Sequence, residues 1–252
     1  EISLIVLNRG LIPVATQAAS APATLKTLLG KVRSRTKVDF SQYKEPTLWR
    51  RIERRMAANH VSTLHDYLQV VDQTPVELDK LCKDILISVT AFFRDTEAFA
   101  RLDKVVAEIL AGKQPGDDIR VWVAGCATGE EAYSLAILFS ERLGAAFDQY
   151  RLQIFATDID LDAMALARRG VFAASSLAHM DRGRIRAHFT PHGDRYEINK
   201  NLRDVVIFAR QDLVQDPPFL RLDLVSCRNV LIYFQSELQA RLLSVFHYAL
   251  NP

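Results

Sequence analysis

Beyond the turn Pro115-Gly116-Asp117 the chain alternates between short apolar runs and stretches of helical periodicity, and this alternation constrains the fold more than any other feature. Ile119-Arg120-Val121-Trp122-Val123 reads as a buried strand. It is followed by a helix over 130–143, a strand over 152–156, a helix over 162–169, strands over 205–209 and 222–225, and a helix over 237–250. Parallel strands need long crossover connections and helices supply them, so the pattern predicts an α/β fold, a parallel sheet with helices on both faces. The preceding part has another texture. From Leu25 to residue 112 the periodicity is helical: Pro46 can open a helix, Thr74-Pro75-Val76-Glu77 has the form of a capping box with Pro at the first helical position, and Asp95 or Thr96 can cap another. The expected organisation is a linker or extension over 1–24, a helical domain over 25–112 and a sheet domain over 113–252. A polar insertion over 170–203 carries one short strand candidate at 195–198, and no repeat of 20 to 50 residues is present.

Composition excludes whole classes of function. With 49% apolar and 25% charged residues, 10 Gly and 9 Pro, the chain is neither disordered nor collagen-like. Cys82, Cys126 and Cys227 form no CxxC pair, which argues against a disulfide framework or zinc knuckle and suits a reducing compartment; a cytoplasmic location is expected. The apolar run Ile2 to Leu7 is broken by Asn8, Arg9 and Gly10 and cannot span a bilayer, so no membrane insertion is expected. His188 and His192 have i, i+4 spacing, but Pro191 between them spoils a helical metal pair, and no metal is expected.

Charge is unevenly placed. Residues 25–60 hold ten Lys/Arg against three acids, net +7, leaving 22 against 27, net −5, for the remainder. Within that segment Arg50, Arg51, Arg54 and Arg55 fall at i, i+1, i+4 and i+5 and share one helix face. Such a stripe is either a solvated face or a docking surface for an acidic partner. Nucleic acid fits poorly, because stacking aromatics are not interleaved with the arginines and the rest of the chain is net acidic.

Three segments carry chemistry. The first strand runs into Ala124-Gly125-Cys126-Ala127-Thr128-Gly129-Glu130-Glu131, a turn at the carboxyl edge of the sheet, where glycine permits close backbone approach to a ligand. Its GxxxG spacing matches neither the dinucleotide nor the triphosphate loop. The next strand ends at Thr157-Asp158-Ile159-Asp160, where Asp158 can accept both hydroxyls of a ribose or cap the following helix, a role that suits Asp160 better. The third, Ser226-Cys227-Arg228-Asn229-Val230-Leu231-Ile232-Tyr233-Phe234, lies at the same sheet edge. There Asn229 reads as a turn residue or a ligand contact, and Tyr233 as a half-buried aromatic or a site hydroxyl.

Taken in order, Thr90-Ala91-Phe92-Phe93-Arg94-Asp95, the loop from Ala124 to Ser134, Ala156-Thr157-Asp158-Ile159-Asp160 and Ser226 to Phe234 resemble the chemotaxis receptor methyltransferases, the CheR family, over residues 25–252. His65-Asp66-Tyr67-Leu68 after the basic helix agrees, and the closest likeness is to versions embedded in multidomain sensory proteins. The resemblance implies a doubly wound class I methyltransferase sheet, Rossmann-like, with an N-terminal all-helical domain and a small antiparallel β insertion. It implies methyl transfer from S-adenosylmethionine, with S-adenosylhomocysteine as product, to glutamate carboxylates on acidic methylation helices of chemoreceptor-type proteins. Thr90 and Arg94 would contact the cofactor or line the reaction site, Gly125 and Gly129 would form its loop, and Glu131 would lie at its methionine end. Asp158 would bind the ribose, while Asp212, Leu213, Asn229 and Val230 would hold the adenine side.

Arg94 and Tyr233 would orient the acceptor carboxylate, and Arg50, Arg51, Arg54 and Arg55 would face the substrate. The sequence departs from some members at Asp212 and Ser88, where those have Asn, and it stops before the two strands that normally finish the family's sheet. His192-Gly193-Asp194-Arg195-Tyr196 is too short for the extension with which some relatives dock a receptor tail, so tight tail-peptide docking is not expected. Two rival functions remain, a cofactor-binding scaffold without turnover and a methyltransferase with another acceptor.

Overall fold

The computed structural model describes residues 21–178 and 180–252; the linker assigned to 1–24 lies, up to residue 20, outside them. Four helices come first: α1 (Ala21–Thr36), α2 (Glu45–Ala58), α3 (Leu64–Gln73) and α4 (Val76–Ile85). Their apolar faces close on a core that includes Leu28, Phe40, Leu48, Ile52, Tyr67 and Leu81. Pro46 sits in the first turn of α2, where a missing N–H costs nothing. Thr63 caps α3 by accepting from the Asp66 N–H at 3.1 Å.

The capping box expected at Thr74 to Glu77 does not form. Pro75 occupies the cap position with no side-chain bond, and the Glu77 carboxylate turns inward, 2% exposed. It accepts from Arg55 Nε at 2.7 Å and Nη2 at 2.9 Å, from Asn59 Nδ2 at 2.8 Å and from Tyr67 Oη at 3.0 Å. A buried carboxylate attracts internal donors more strongly than its own exposed helix end does.

Helix α5 (Thr96–Ala111) is capped by Asp95, which accepts from the Ala98 N–H. Its Phe99 and Val106 belong to the core of the sheet, together with Ile119, Val121 and Leu135, and not to the core of α1–α4. The division between the two cores therefore falls between α4 and α5, not at the expected residue 112. An amphipathic helix shows the same periodicity whichever core it joins, so its sequence does not reveal its partner.

The remaining elements are β1 (Asp118–Ala124), α6 (Glu130–Leu143), β2 (Arg151–Asp158), α7 (Leu161–Arg169), β3 (Val171–Ala173), α8 (Arg182–His188), β4 (Phe189–His192), β5 (Arg195–Ile198), α9 (Lys200–Asp204), β6 (Val206–Arg210), β7 (Leu224–Ser226) and α10 (Ser236–Ala249). One sheet has the order β6-β2-β1-β7, with every pair parallel. Strand β1 is buried on both faces. Ile119, Val121 and Val123 pack towards α5 and α6, while Trp122 and Ala124 join Leu238, Leu242 and Phe246 of α10. Period-two alternation and a continuous apolar run are compatible because helices cover both faces. The second sheet, β3-β5-β4, is antiparallel and fills the insertion.

Parallel pairing brings the carboxyl ends of β1, β2, β6 and β7 to one edge. The chain leaves β1 on one side for β2 and β6 and returns on the other as β7, so a crevice is expected beside β1 at that edge.

Candidate active site

The crevice beside β1 is roofed by the helical part of the molecule. The loop between α1 and α2 is stitched to the loop between β7 and α10. Tyr43 and Phe234 form an antiparallel bridge, the Lys44 N–H donates to the Tyr233 carbonyl at 2.8 Å, and the Gln235 N–H donates to the Gln42 carbonyl at 2.9 Å. The Tyr43 ring meets Phe40 and Phe234 edge-on, each at 5.0 Å. Behind it, Ser88 Oγ donates to Asp160 at 3.1 Å and Lys83 pairs with Asp162. The cleft between the two parts is lined on one side by Tyr43, Ser88, Val89, Thr90 and Arg94, and on the other by loops from the sheet edge.

Gly125 and Ala127 lie on the sheet side. Gly125 has φ +77° and donates its N–H to the Thr157 carbonyl at 2.8 Å. A Cβ on Gly125 would collide with Val230 Cγ2, so this glycine lets the loop after β1 pass under the loop after β7. Gly129 behaves differently. It is not among the lining residues, and a Cβ there would meet Ala167 at 3.0 Å and Phe208 at 3.3 Å, behind the loop. Its φ of +94° opens α6 and permits close packing against α7 and β6; of the two glycines, Gly125 is the one that lines the cleft.

Asp158 ends β2 inside the cleft. Its carboxylate accepts from the Ala127 N–H at 2.8 Å and the Asp160 N–H at 3.0 Å, one bond to each oxygen, leaving acceptor capacity on both. Burial pushes its pKa up, against those two hydrogen bonds. Asp160, as expected, caps α7 through the N–H groups of Asp162 and Ala163.

Glu131, in the first turn of α6, also lines the cleft; it accepts from Ser226 Oγ at 2.6 Å and lies 3.4 Å from Arg228 Nη1. Burial raises its pKa, with Arg228, Ser226 and Arg94 pulling the other way. Arg94 is exposed at the mouth and donates to the Val89 carbonyl at 2.8 Å. Asn229, at φ +59°, Val230 and Tyr233 close the far wall. Asp212 and Leu213 stand beside them, with Asp212 accepting from the Val214 N–H and from Gln215 Nε2, each at 2.8 Å. The buried Gln211 Oε1 beside them has no hydrogen-bond partner among the described residues.

The structure thus brings Thr90, Arg94, Gly125, Glu131, Asp158, Asp212, Leu213, Asn229, Val230 and Tyr233 to one cleft. The four arginines of α2 are not in its lining, and they divide by environment. Arg50 and Arg54 are exposed, whereas Arg51 is half-buried, its Nε without a hydrogen-bond partner among the described residues. Desolvation, Arg50 and Arg54 lower the pKa of Arg51. Arg55 is committed to Glu77 within the helical core, with its side chain only 17% exposed, and leaves the expected stripe. Sequence reasoning passed over Tyr43, Ser226 and Arg228 as site residues. Ser226 and Arg228 stand inside the motif that was noticed, next to Asn229, whereas Tyr43 gives no signal because its position depends on contact across the cleft.

Comparison with known proteins gives the family. Residues 88–252 match the CheR methyltransferase SAM binding domain, and residues 23–86 match the CheR methyltransferase all-alpha domain. The chain is 44% identical over 215 residues to an uncharacterised 104.1 kDa protein of Rhodobacter capsulatus; the match covers 85% of this chain and 23% of that protein. It is 31% identical to a putative methyltransferase of Pseudomonas putida, covering 93% and 86%, and 27% identical to a chemotaxis protein methyltransferase of Salmonella typhimurium, covering 96% and 84%. The chain belongs to the CheR methyltransferase family, and its α/β part is the family's S-adenosylmethionine-binding domain joined to the all-alpha domain.

Proposed function

We propose that this chain transfers a methyl group from S-adenosylmethionine to glutamate carboxylates on an acidic helix of a chemoreceptor-type protein. The observation that carries the reading is the gathering of Asp158 and Glu131 inside one cleft with Arg94 and Tyr233. The lining suits the cofactor in polarity. Asp158 offers paired acceptors for a ribose, Glu131 offers a carboxylate for an ammonium group, and Leu213 and Val230 offer apolar contact for a base. Positively charged methyl sulfonium supplies the leaving group when the cofactor is bound.

The acceptor needs no general base. A glutamate carboxylate with a pKa of about 4.3 is ionised at neutral pH and is itself the nucleophile. What remains for the protein is desolvation and alignment, which can supply several powers of ten in rate. Arg94 can present guanidinium N–H groups to the acceptor carboxylate and Tyr233 its hydroxyl, while Arg50 and Arg54, exposed on α2, steer an acidic helix towards the cleft. Strands β4 and β5 are joined by the two-residue turn Gly193-Asp194, and the reading includes no tight docking of a receptor tail there.

The test is transfer of a labelled methyl group to an acidic receptor helix, scored as base-labile methyl ester. Arg94→Ala should cut turnover about 100-fold or more while S-adenosylhomocysteine still binds. Arg54→Glu should leave cofactor affinity unchanged and lower kcat/KM about tenfold at low salt, with the difference shrinking as salt rises. Turnover of the true substrate that is untouched by Arg54→Glu would indicate a different acceptor; cofactor binding with no transfer to any carboxylate would indicate a scaffold.

A further inference from the structure

Arg228 lies where three elements of the cleft meet. Its Nη1 is 3.4 Å from Glu131 Oε2, its Nη2 donates to the Arg94 carbonyl at 2.6 Å and lies 3.9 Å from Asp95, and its guanidinium stacks over the Phe99 ring at 5.0 Å. One side chain from the loop after β7 therefore ties the first turn of α6 to the segment that precedes α5. Planar, permanently charged guanidinium suits this task, because it can bond in two directions in its plane while a ring covers its face.

We propose that Arg228 is the positioning residue of the cofactor site: it keeps Glu131 ionised and aimed at the ligand's ammonium group, and it fixes the backbone that presents Arg94. The proposal rests on the reading that this cleft holds S-adenosylmethionine. Glu131 needs such a partner because its surroundings are unfavourable to charge. Its other favourable neighbours are the Ser226 hydroxyl at 2.6 Å, the cation of Arg94, and the amino end of α6. Cys126 and Cys227 add no negative charge beside it, their thiols being pushed up by burial with Glu131 adding to the shift. Glu130 turns away to Thr128, and Asp95 competes with Glu131 for Arg228. Without Arg228 a buried carboxylate would protonate at higher pH and lose its attraction for an ammonium group.

Calorimetric titration of the whole chain with S-adenosylhomocysteine and with 5′-methylthioadenosine, which lacks the amino-acid end, across pH 5 to 8.5 tests this. In Arg228→Met the affinity for S-adenosylhomocysteine should fall at least tenfold at neutral pH, and the acid limb of its pH profile should move up by about 1 pH unit or more. Affinity for 5′-methylthioadenosine should stay within about twofold at every pH. Arg228→Lys should restore the acid limb. Glu131→Gln should leave only the limb that 5′-methylthioadenosine shares through Asp158, and adding Arg228→Met to it should produce no further pH dependence; this pair decides the matter if Arg228→Met alone folds poorly. An unmoved acid limb in Arg228→Met, or equal losses for the two ligands, would overturn the positioning role. Failure of the folded wild-type chain to bind either ligand would instead overturn the reading of the cleft.

Discussion

At the scale of single residues, the two glycines of the loop after β1 show how similar signals in sequence can have different causes. Both have positive φ, +77° at Gly125 and +94° at Gly129, and both would be strained by any side chain. They differ in what a Cβ would strike. At Gly125 it meets Val230 in the wall of the cleft, whereas at Gly129 it meets Ala167 and Phe208 behind the loop. Gly129→Ala should therefore destabilise the fold by about 1–3 kcal/mol and change S-adenosylhomocysteine affinity less than threefold. Gly125→Ala should cost about as much stability and weaken binding more than tenfold if the ligand occupies the cleft as proposed, because the side chain that must shift, Val230, belongs to the cleft's lining. Denaturant unfolding and calorimetry on the two variants check this, and matching losses of affinity would refute the distinction. The sequence put both glycines on the loop, but only their φ angles and neighbours tell the two surfaces apart.

At the scale of elements, α2, α3 and α4 are locked by a single buried carboxylate. Burial pushes the Glu77 carboxyl up, but hydrogen bonds from Arg55, Asn59 and Tyr67 outweigh it and hold the group below the ordinary range. A depressed folded-state pKa contributes stability that is present above the unfolded value of about 4.3 and is lost as pH falls through the folded value. Glu77→Gln removes the two short bonds to Arg55, leaving it only the weaker pair with Asp84 at 3.7 Å, and should cost about 2–3 kcal/mol at pH 7. Its stability should also fall less steeply than the wild type's below about pH 4.3. Urea titrations at pH 7 and pH 3.5 measure both effects, and parallel pH dependence in the two proteins would remove Glu77 from the account. The sequence shows Glu77 only as the third residue after Thr74, which fits a capping box equally well. The parallel strands were readable because helices on both faces demand unbroken apolar runs such as Val121-Trp122-Val123. The strands β3, β4 and β5 were mostly unreadable: they are 3 to 4 residues long, with several exposed polar positions.

At the scale of the molecule, the cleft belongs to neither core alone. Val38, Asp39 and Tyr43 reach it from the α1–α2 loop and Ile85 to Thr90 from the end of α4 onward, while the remaining walls come from the sheet edge. This is why the sheet-edge residues of the site could be named from motifs but Tyr43 could not. Motifs follow the chain, and Tyr43 is brought in by its bridge to Phe234, across nearly 200 positions. A ligand held between two cores should stabilise both. At a free concentration of 100 times Kd, binding contributes about 2.7 kcal/mol, which for a chain of this size raises Tm by roughly 5–11 °C. Hydrogen exchange locates where that energy acts. Addition of S-adenosylhomocysteine should slow exchange at amides of 125–131, 211–214 and 228–234 on the sheet side, and equally at 43–44 and 86–94 on the helical side, including the Lys44 N–H bonded to the Tyr233 carbonyl. Tyr43→Ala, which removes the ring wedged between Phe40 and Phe234, should abolish the helical-side protection and weaken binding while leaving sheet-side protection at saturation. Protection confined to the sheet in the wild type would mean that the helical layer covers the cleft without holding its ligand.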